Sequence, residues 1–181
     1  MAKKEKEIKT NAMRLLEQKK ISYMVHTYDG EEFHDGVSVA DMLGQPHEIV
    51  YKTLVTVAKS KEHYVFVIPI EAELDLKKAA RAVHEKSIEM LPLKDLTDLT
   101  GYVRGGCTCI GMKKQFPVVL DESAKQFPAI MVSGGRRGSQ MEVNPEDLMR
   151  AANGSFADVI IEEQNKNFYS TKGRVKNFRF S

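Results

Sequence analysis

Ile8, Ala12, Leu15 and Leu16 stand at i, i+4, i+7 and i+8, the spacing that lines one face of a helix, so the chain is expected to open with an amphipathic helix. Lys19-Lys20 would close it, where cations meet the partial negative charge of the last carbonyls. Ser22 to Tyr28 then reads as a strand. A short helix follows, with Ser38 as its expected cap and Gly44 as its stop, and Pro46 favours a fresh turn of helix before Tyr51. Lys52 to Ala58 and His63 to Ile70 are rich in Val, Ile, Leu, Thr, Tyr and Phe, and Lys59-Ser-Lys-Glu62 between them predicts a hairpin.

Leu76, Ala79, Ala80 and Val83 share one face of a helix over Leu74 to Val83. Ser87 to Met90 is a short strand, and Leu93, Leu96 and Leu99 mark a small helix stopped at Gly101. Phe116 to Leu120, Ile130 to Ser133 and Met141 to Val143 have strand length. Asn144-Pro-Glu-Asp starts a helix that runs through Leu148, Met149 and Ala152, and Asp158 to Ile161 forms a last strand. Strands predominate with helices interspersed, which predicts one α+β domain around a curved mixed sheet. The domain is expected over residues 1–164. Residues 165–181 carry five basic and no acidic side chains and read as a mobile basic tail.

Composition narrows this picture. The 181 residues suit one domain that needs neither disulfides nor metals, at 42% hydrophobic and 29% charged. With 27 basic and 25 acidic residues the net charge is +2, so contact with nucleic acid would use a local patch. The only cysteines, Cys107 and Cys109, are too close in sequence for an unstrained disulfide and too few for a four-ligand zinc site. Neither a signal peptide nor a long apolar run is seen, so a cytoplasmic protein with no membrane partner is expected.

Two glycine-rich stretches hold the candidate chemistry, Gly101 to Lys114 and Ser133-Gly-Gly-Arg-Arg-Gly-Ser139. Glycine lets main-chain N–H groups approach an anion closely, and both stretches are flanked by fixed positive charge. Tight turns in a β-rich fold would produce the same residues. Lys52, at the start of an apolar strand, can hold a phosphate or carbonyl as a point charge, or be a solvated strand end. Arg136 and Arg137 can fork onto phosphate oxygens, or sit on a solvated turn. Cys107 is open both to a nucleophilic role and to that of a small apolar residue in a tight loop. The five histidines show no metal-ligand spacing, and Ser133 lacks the context of a nucleophile elbow.

Six segments, in this order over residues 10–161, carry a family resemblance: Lys20-Ile-Ser22, His26-Thr-Tyr28, Val50-Tyr-Lys-Thr-Leu54, Leu74-Asp-Leu-Lys-Lys78, Gly101 to Lys114 and Val132-Ser-Gly-Gly-Arg-Arg-Gly138. Together they resemble the YbaK/EbsC-type aminoacyl-tRNA deacylases, stand-alone relatives of the editing domain of bacterial prolyl-tRNA synthetases. The resemblance implies a curved mixed β-barrel with flanking helices, no cofactor and no metal. It implies aminoacylated tRNA(Pro) as substrate, most typically cysteinyl-tRNA(Pro), and prolyl-tRNA synthetase as a candidate partner. By likeness Lys52 is the essential lysine, and Gly105 and Gly106 present backbone groups to the aminoacyl end. Tyr28, Thr108, Gly111, Ser133, Gly134, Arg136 and Arg137 complete the expected binding set. In the mechanism implied, the substrate's own thiol attacks the ester and closes a thiolactone.

Two positions depart from the family pattern. Its first loop usually reads Gly-Gly-x-Ser-Pro-x-Gly, where this chain has Gly105-Gly-Cys-Thr-Cys-Ile-Gly111, so a proline that fixes φ is replaced by Cys109. The acidic residue common after the second loop is Gln140. Alanyl-tRNA(Pro) hydrolysis by water, and a non-catalytic module that binds tRNA or synthetase, are the alternatives.

Overall fold

The computed structural model describes residues 8–162. The expected tail at 165–181 lies outside them, as do residues 1–7.

Helix α1 spans Asn11–Gln18 and starts one turn later than the periodicity implies, because the Thr10 side chain caps it by accepting from the Met13 N–H. Ile8 therefore precedes the helix and is exposed, while Ala12, Met13 and Leu16 are buried. Strand β1 is Met24–Thr27. Helix α2, Gly36–Met42, is capped by Asp35, which accepts from the Ser38 N–H at 2.8 Å, so Ser38 is the third helical residue and not the cap expected of it. The expected turn of helix after Pro46 is a 3-10 turn at His47–Ile49.

Strands β2 (Tyr51–Ala58) and β3 (His63–Pro69) form the expected hairpin. Helix α3 is Leu76–Ala82 under an Asp75 cap, β4 is Ile88–Met90, and α4 is Leu96–Thr100. Gly101 ends α4 with φ of 84°, a left-handed value that glycine takes without strain. Strands β5 (Val118–Asp121), β6 (Ile130–Ser133) and β7 (Ser139–Val143) precede α5 (Pro145–Ala152), which is capped by Asn144.

The last strand is not where the pattern put it. Strand β8 is Ser155–Ala157, parallel to β5. Residues 158–161 instead run beside the lead-in to α3, where Asp75 N–H donates to the Val159 carbonyl and Ile161 N–H to that of Glu73.

The strands form two sheets. One is ordered β4-β2-β3-β5-β8 and mixes parallel with antiparallel pairs; the other is β1-β7-β6, all antiparallel. They are linked by a parallel bridge between Val50 and Met131, so the curved sheet is divided and not closed into a barrel. Alternation along β3 explains the core. Val65 and Val67 face the main cluster, with Ile130, Val132 and Met141 of the other sheet and residues of α1 and α5. Phe66 and Ile68 face the opposite side, covered by Ala79 and Ala80 of α3. Both faces of the five-stranded sheet are thus covered, as its parallel pairs lead one to expect.

Candidate active site

Where the two sheets meet, a cavity of about 580 Å³ opens. Its walls come from the Tyr28–Val39 segment, β2, the Met90–Leu96 segment, the Arg104–Cys107 loop and the facing ends of β6 and β7. Lys52, Tyr28, Gly105 and Ser133 all line it, although they stand far apart in sequence.

Lys52 is half-buried, and among the described residues its ammonium has no hydrogen bond or ion pair. Burial pushes its pKa down, opposed by the carboxylate charge of Glu73. A partly desolvated cation without a fixed partner attracts a ligand anion or carbonyl more strongly than a solvated one.

The second glycine stretch is the β6–β7 hairpin loop, closed by Gly134 N–H donating to the Ser139 carbonyl. Ser133 Oγ accepts from Gly135 N–H at 3.2 Å and so shapes the loop as well as lining the cavity. Helix α1 clamps this loop from outside, since Thr10 Oγ1 donates to the Gly134 carbonyl at 2.6 Å. The two glycine stretches are pressed together at Gly106, where an added Cβ would lie 2.8 Å from backbone atoms of Arg136 and Arg137. Only glycine permits that approach.

The remaining expected residues divide. Gly106 N–H donates to the Val103 carbonyl, so it is spent within the loop, whereas Gly105, with φ of 85°, forms cavity wall. Thr108 is fully buried and Gly111 packs beneath α1, where a Cβ would strike the Ala12 N atom and the Tyr102 hydroxyl. Neither lines the cavity, nor does Gly134. Arg136 is exposed with its backbone against Gly106. Arg137 donates from Nε to the Arg104 carbonyl at 2.8 Å and lies over the Phe33 ring at 5.6 Å. Lys113 and Lys114 are occupied elsewhere, one donating to the Asp98 carbonyl and the other over Phe116.

Cys107 lines the cavity, but burial pushes its thiol up to about 12, so it is neutral at physiological pH and a poor nucleophile. Among the described residues no group of three or more His, Cys, Asp or Glu is placed to hold a metal ion. None of their helices is long and apolar enough to cross a membrane.

Two site residues escaped the sequence reading. Phe33 and Arg104 line the mouth, with the Arg104 guanidinium 4.2 Å from the ring centroid. Arg104 directly precedes Gly105, a signal that could have found it; Phe33 stands in a charged, aperiodic segment with none. The apolar lip formed by Met90, Leu93 and Leu96 also came only with the fold.

The family model for the aminoacyl-tRNA editing domain matches residues 31–151. A curated protein of Enterococcus faecalis, provisionally named Cys-tRNA(Pro)/Cys-tRNA(Cys) deacylase EbsC, is 50% identical over 164 residues, 90% of this chain and 100% of that one. Among solved structures, one provisionally described as a trans-editing enzyme for prolyl tRNA synthetase superposes with a TM-score of 0.74 at 23% identity, covering 86% of this chain and 99% of that one. A hypothetical protein of known structure gives 0.76 at 19% identity, over 83% and 99%. These two share the fold.

Proposed function

The chain belongs to the aminoacyl-tRNA editing-domain family, and on that premise we propose that it is a trans-editing hydrolase that deacylates cysteinyl-tRNA(Pro). The observation that carries this reading is the cavity itself: among the described residues it is lined by a half-buried Lys52 that has no hydrogen bond or ion pair, and by no activated nucleophile. Such a site is suited to a reaction whose nucleophile arrives with the substrate.

Lys52 holds the terminal phosphate or the ester carbonyl as a point charge. Tyr28, Ser133 and Gly105 form the wall around the aminoacyl group, while Gly106 and Gly134 set the distance between the two loops. Thr108 and Gly111 support the first loop from behind. Arg104 and Arg137, with exposed Arg136, lie where the tRNA 3′ end enters, and Phe33 offers a ring for a base to stack on. The substrate's thiol sulfur attacks the ester carbonyl and the C–O bond to the ribose breaks. The proton lost by the thiol ends on the ribose oxygen, and the released thiolactone is hydrolysed by water. Holding sulfur and carbonyl together supplies most of the acceleration, because the step is intramolecular. Prolyl-tRNA synthetase, the source of the mischarged substrate, is the protein partner this function implies, and the cytoplasm is its location.

Single-turnover hydrolysis of cysteinyl-, seryl- and alanyl-tRNA(Pro) tests the chemistry. Serine is nearly isosteric with cysteine but its hydroxyl is a far weaker nucleophile, so the cysteinyl ester should be cleaved fastest by at least tenfold. Equal rates on all three would replace the substrate thiol with water.

A further inference from the structure

Three polar side-chain atoms of cavity-lining residues, Thr53 Oγ1, Ser139 Oγ and Gln140 Oε1, are buried without a hydrogen-bond partner among the described residues, but Ser139 precedes Gln140 in β7 and turns its Oγ to the opposite face, toward Gly134 and Met13. Buried polar groups are normally paired, so an orphan acceptor in a cavity wall marks a place built for a polar ligand. Gln140 is the most placed of them. It is 5% exposed and lies in β7, the central strand of its sheet, paired with His26 of β1 on one side and Ser133 of β6 on the other. Its backbone is therefore held on both sides, and directly opposed residues of an antiparallel pair share a face, so Gln140 and Ser133 present side chains to the same wall. With Oε1 turned inward the amide offers an acceptor that needs a donor.

The cavity's charges narrow what that donor is. Lys52 and Arg104 are cations. Among the described residues the single carboxylate in the lining, Asp35, is engaged as the cap of α2, and the hydrogen bonds from Ser38 hold its pKa below the usual carboxylate range. An aminoacyl ester brings three kinds of donor: the α-amino group, the ribose hydroxyl and, for cysteine, the thiol. The α-amino group carries more hydrogens than either of the others, and with Asp35 engaged it must be received without a free carboxylate among the described lining residues.

We infer that Gln140 positions the α-amino group of the aminoacyl ester through a neutral hydrogen bond; this rests on the deacylase function proposed above. The chain would then read the amino group by geometry and not by charge. Beside the cations of the lining, a neutral acceptor also favours the uncharged amine, the form that can take the thiol's proton.

The test is a substrate–variant cycle. Wild type, Gln140→Leu and Gln140→Glu are assayed on cysteinyl-tRNA(Pro) and on 3-mercaptopropionyl-tRNA(Pro), which keeps thiol and ester but lacks the amine. Thermal melting of each variant accompanies the rates. Gln140→Leu should lower kcat/KM on cysteinyl-tRNA(Pro) about tenfold and leave the deamino substrate within about twofold, the range expected for one hydrogen bond. Gln140→Glu should retain the preference for the amine and add an acidic limb to the pH profile. Equal losses on both substrates, or no loss on either, would overturn the inference while leaving the deacylase function intact. Failure of the wild type to hydrolyse cysteinyl-tRNA(Pro) would instead remove that function, and this inference with it.

Discussion

Replacing Gly106 by alanine tests whether the two glycine loops must touch. The new Cβ would sit 2.8 Å from the Arg136 Cα and carbonyl carbon and 2.8 Å from the Arg137 nitrogen. These are backbone atoms, so no side-chain rotation relieves the contact and the loops must part. Overpacking of this kind costs about 1–3 kcal/mol. At about 2–4 °C per kcal/mol for a protein of this size, the melting temperature should fall by roughly 2–12 °C. Parting the loops also moves Gly105 and the Ser133 end of the hairpin, both cavity walls, so kcat/KM on cysteinyl-tRNA(Pro) should drop by at least tenfold where the variant is fully folded. Gly44→Ala is the control. Its φ is 66° and an added Cβ meets nothing within 4 Å, so it carries only left-handed strain of about 1–2 kcal/mol. It should melt lower yet turn over like the wild type. A Gly106→Ala protein with wild-type melting and turnover would refute the claim that loop apposition builds the site.

Lys52→Ala should remain folded and lose roughly ten- to hundredfold in deacylation, the value of about 1.5–3 kcal/mol for one charge-assisted contact; near-normal turnover would remove Lys52 from the reaction. Cys107→Ser should keep most activity, with no acylated protein seen by mass spectrometry during turnover, because the Cys107 thiol is held neutral. His47 gives a pH dependence of stability. Its bond to Asp41 at 2.6 Å, aided by Glu71, raises its folded-state pKa. Its contribution is then fully present below the unfolded value near about 6.5 and disappears as pH rises through the folded one. The difference in melting temperature between wild type and His47→Gln should be larger at pH 6 than at pH 9, and a constant or inverted difference would contradict this.

Most elements could be read from the chain because their signals are local. The β2–β3 hairpin has two apolar runs flanking a polar turn, and α5 has Asn144 followed by Pro145 at its first turn. The misses are of another kind. Asp35 and Ser38 are both good caps, and only the direction of the Asp35 bond to the Ser38 N–H decides between them. Strand β8 is three residues long and exists because Leu120 and Asp121 of β5 offer it a ladder, which no pattern within Ser155–Ala157 reports. The site shows the same division. Lys52 and the glycine loops could be singled out by residue type. Their convergence with Phe33 and Arg104, and the separation of Lys113 and Lys114 from them, depend on long-range packing. The role of Gly111 also shows only there, since its contact is with the first turn of α1, about a hundred residues earlier in the chain.

The central claim is that this cavity removes a small wrong amino acid from tRNA(Pro) and spares the right one. The most direct measurement is the rate of deacylation of cysteinyl-tRNA(Pro) and prolyl-tRNA(Pro) by the purified full chain, each against its spontaneous rate. The account predicts strong acceleration with the cysteinyl ester, little or none with the prolyl ester, and loss of the acceleration in Lys52→Ala. Prolyl-tRNA(Pro) cleaved as readily as cysteinyl-tRNA(Pro), or neither ester cleaved faster than its spontaneous rate, would contradict it.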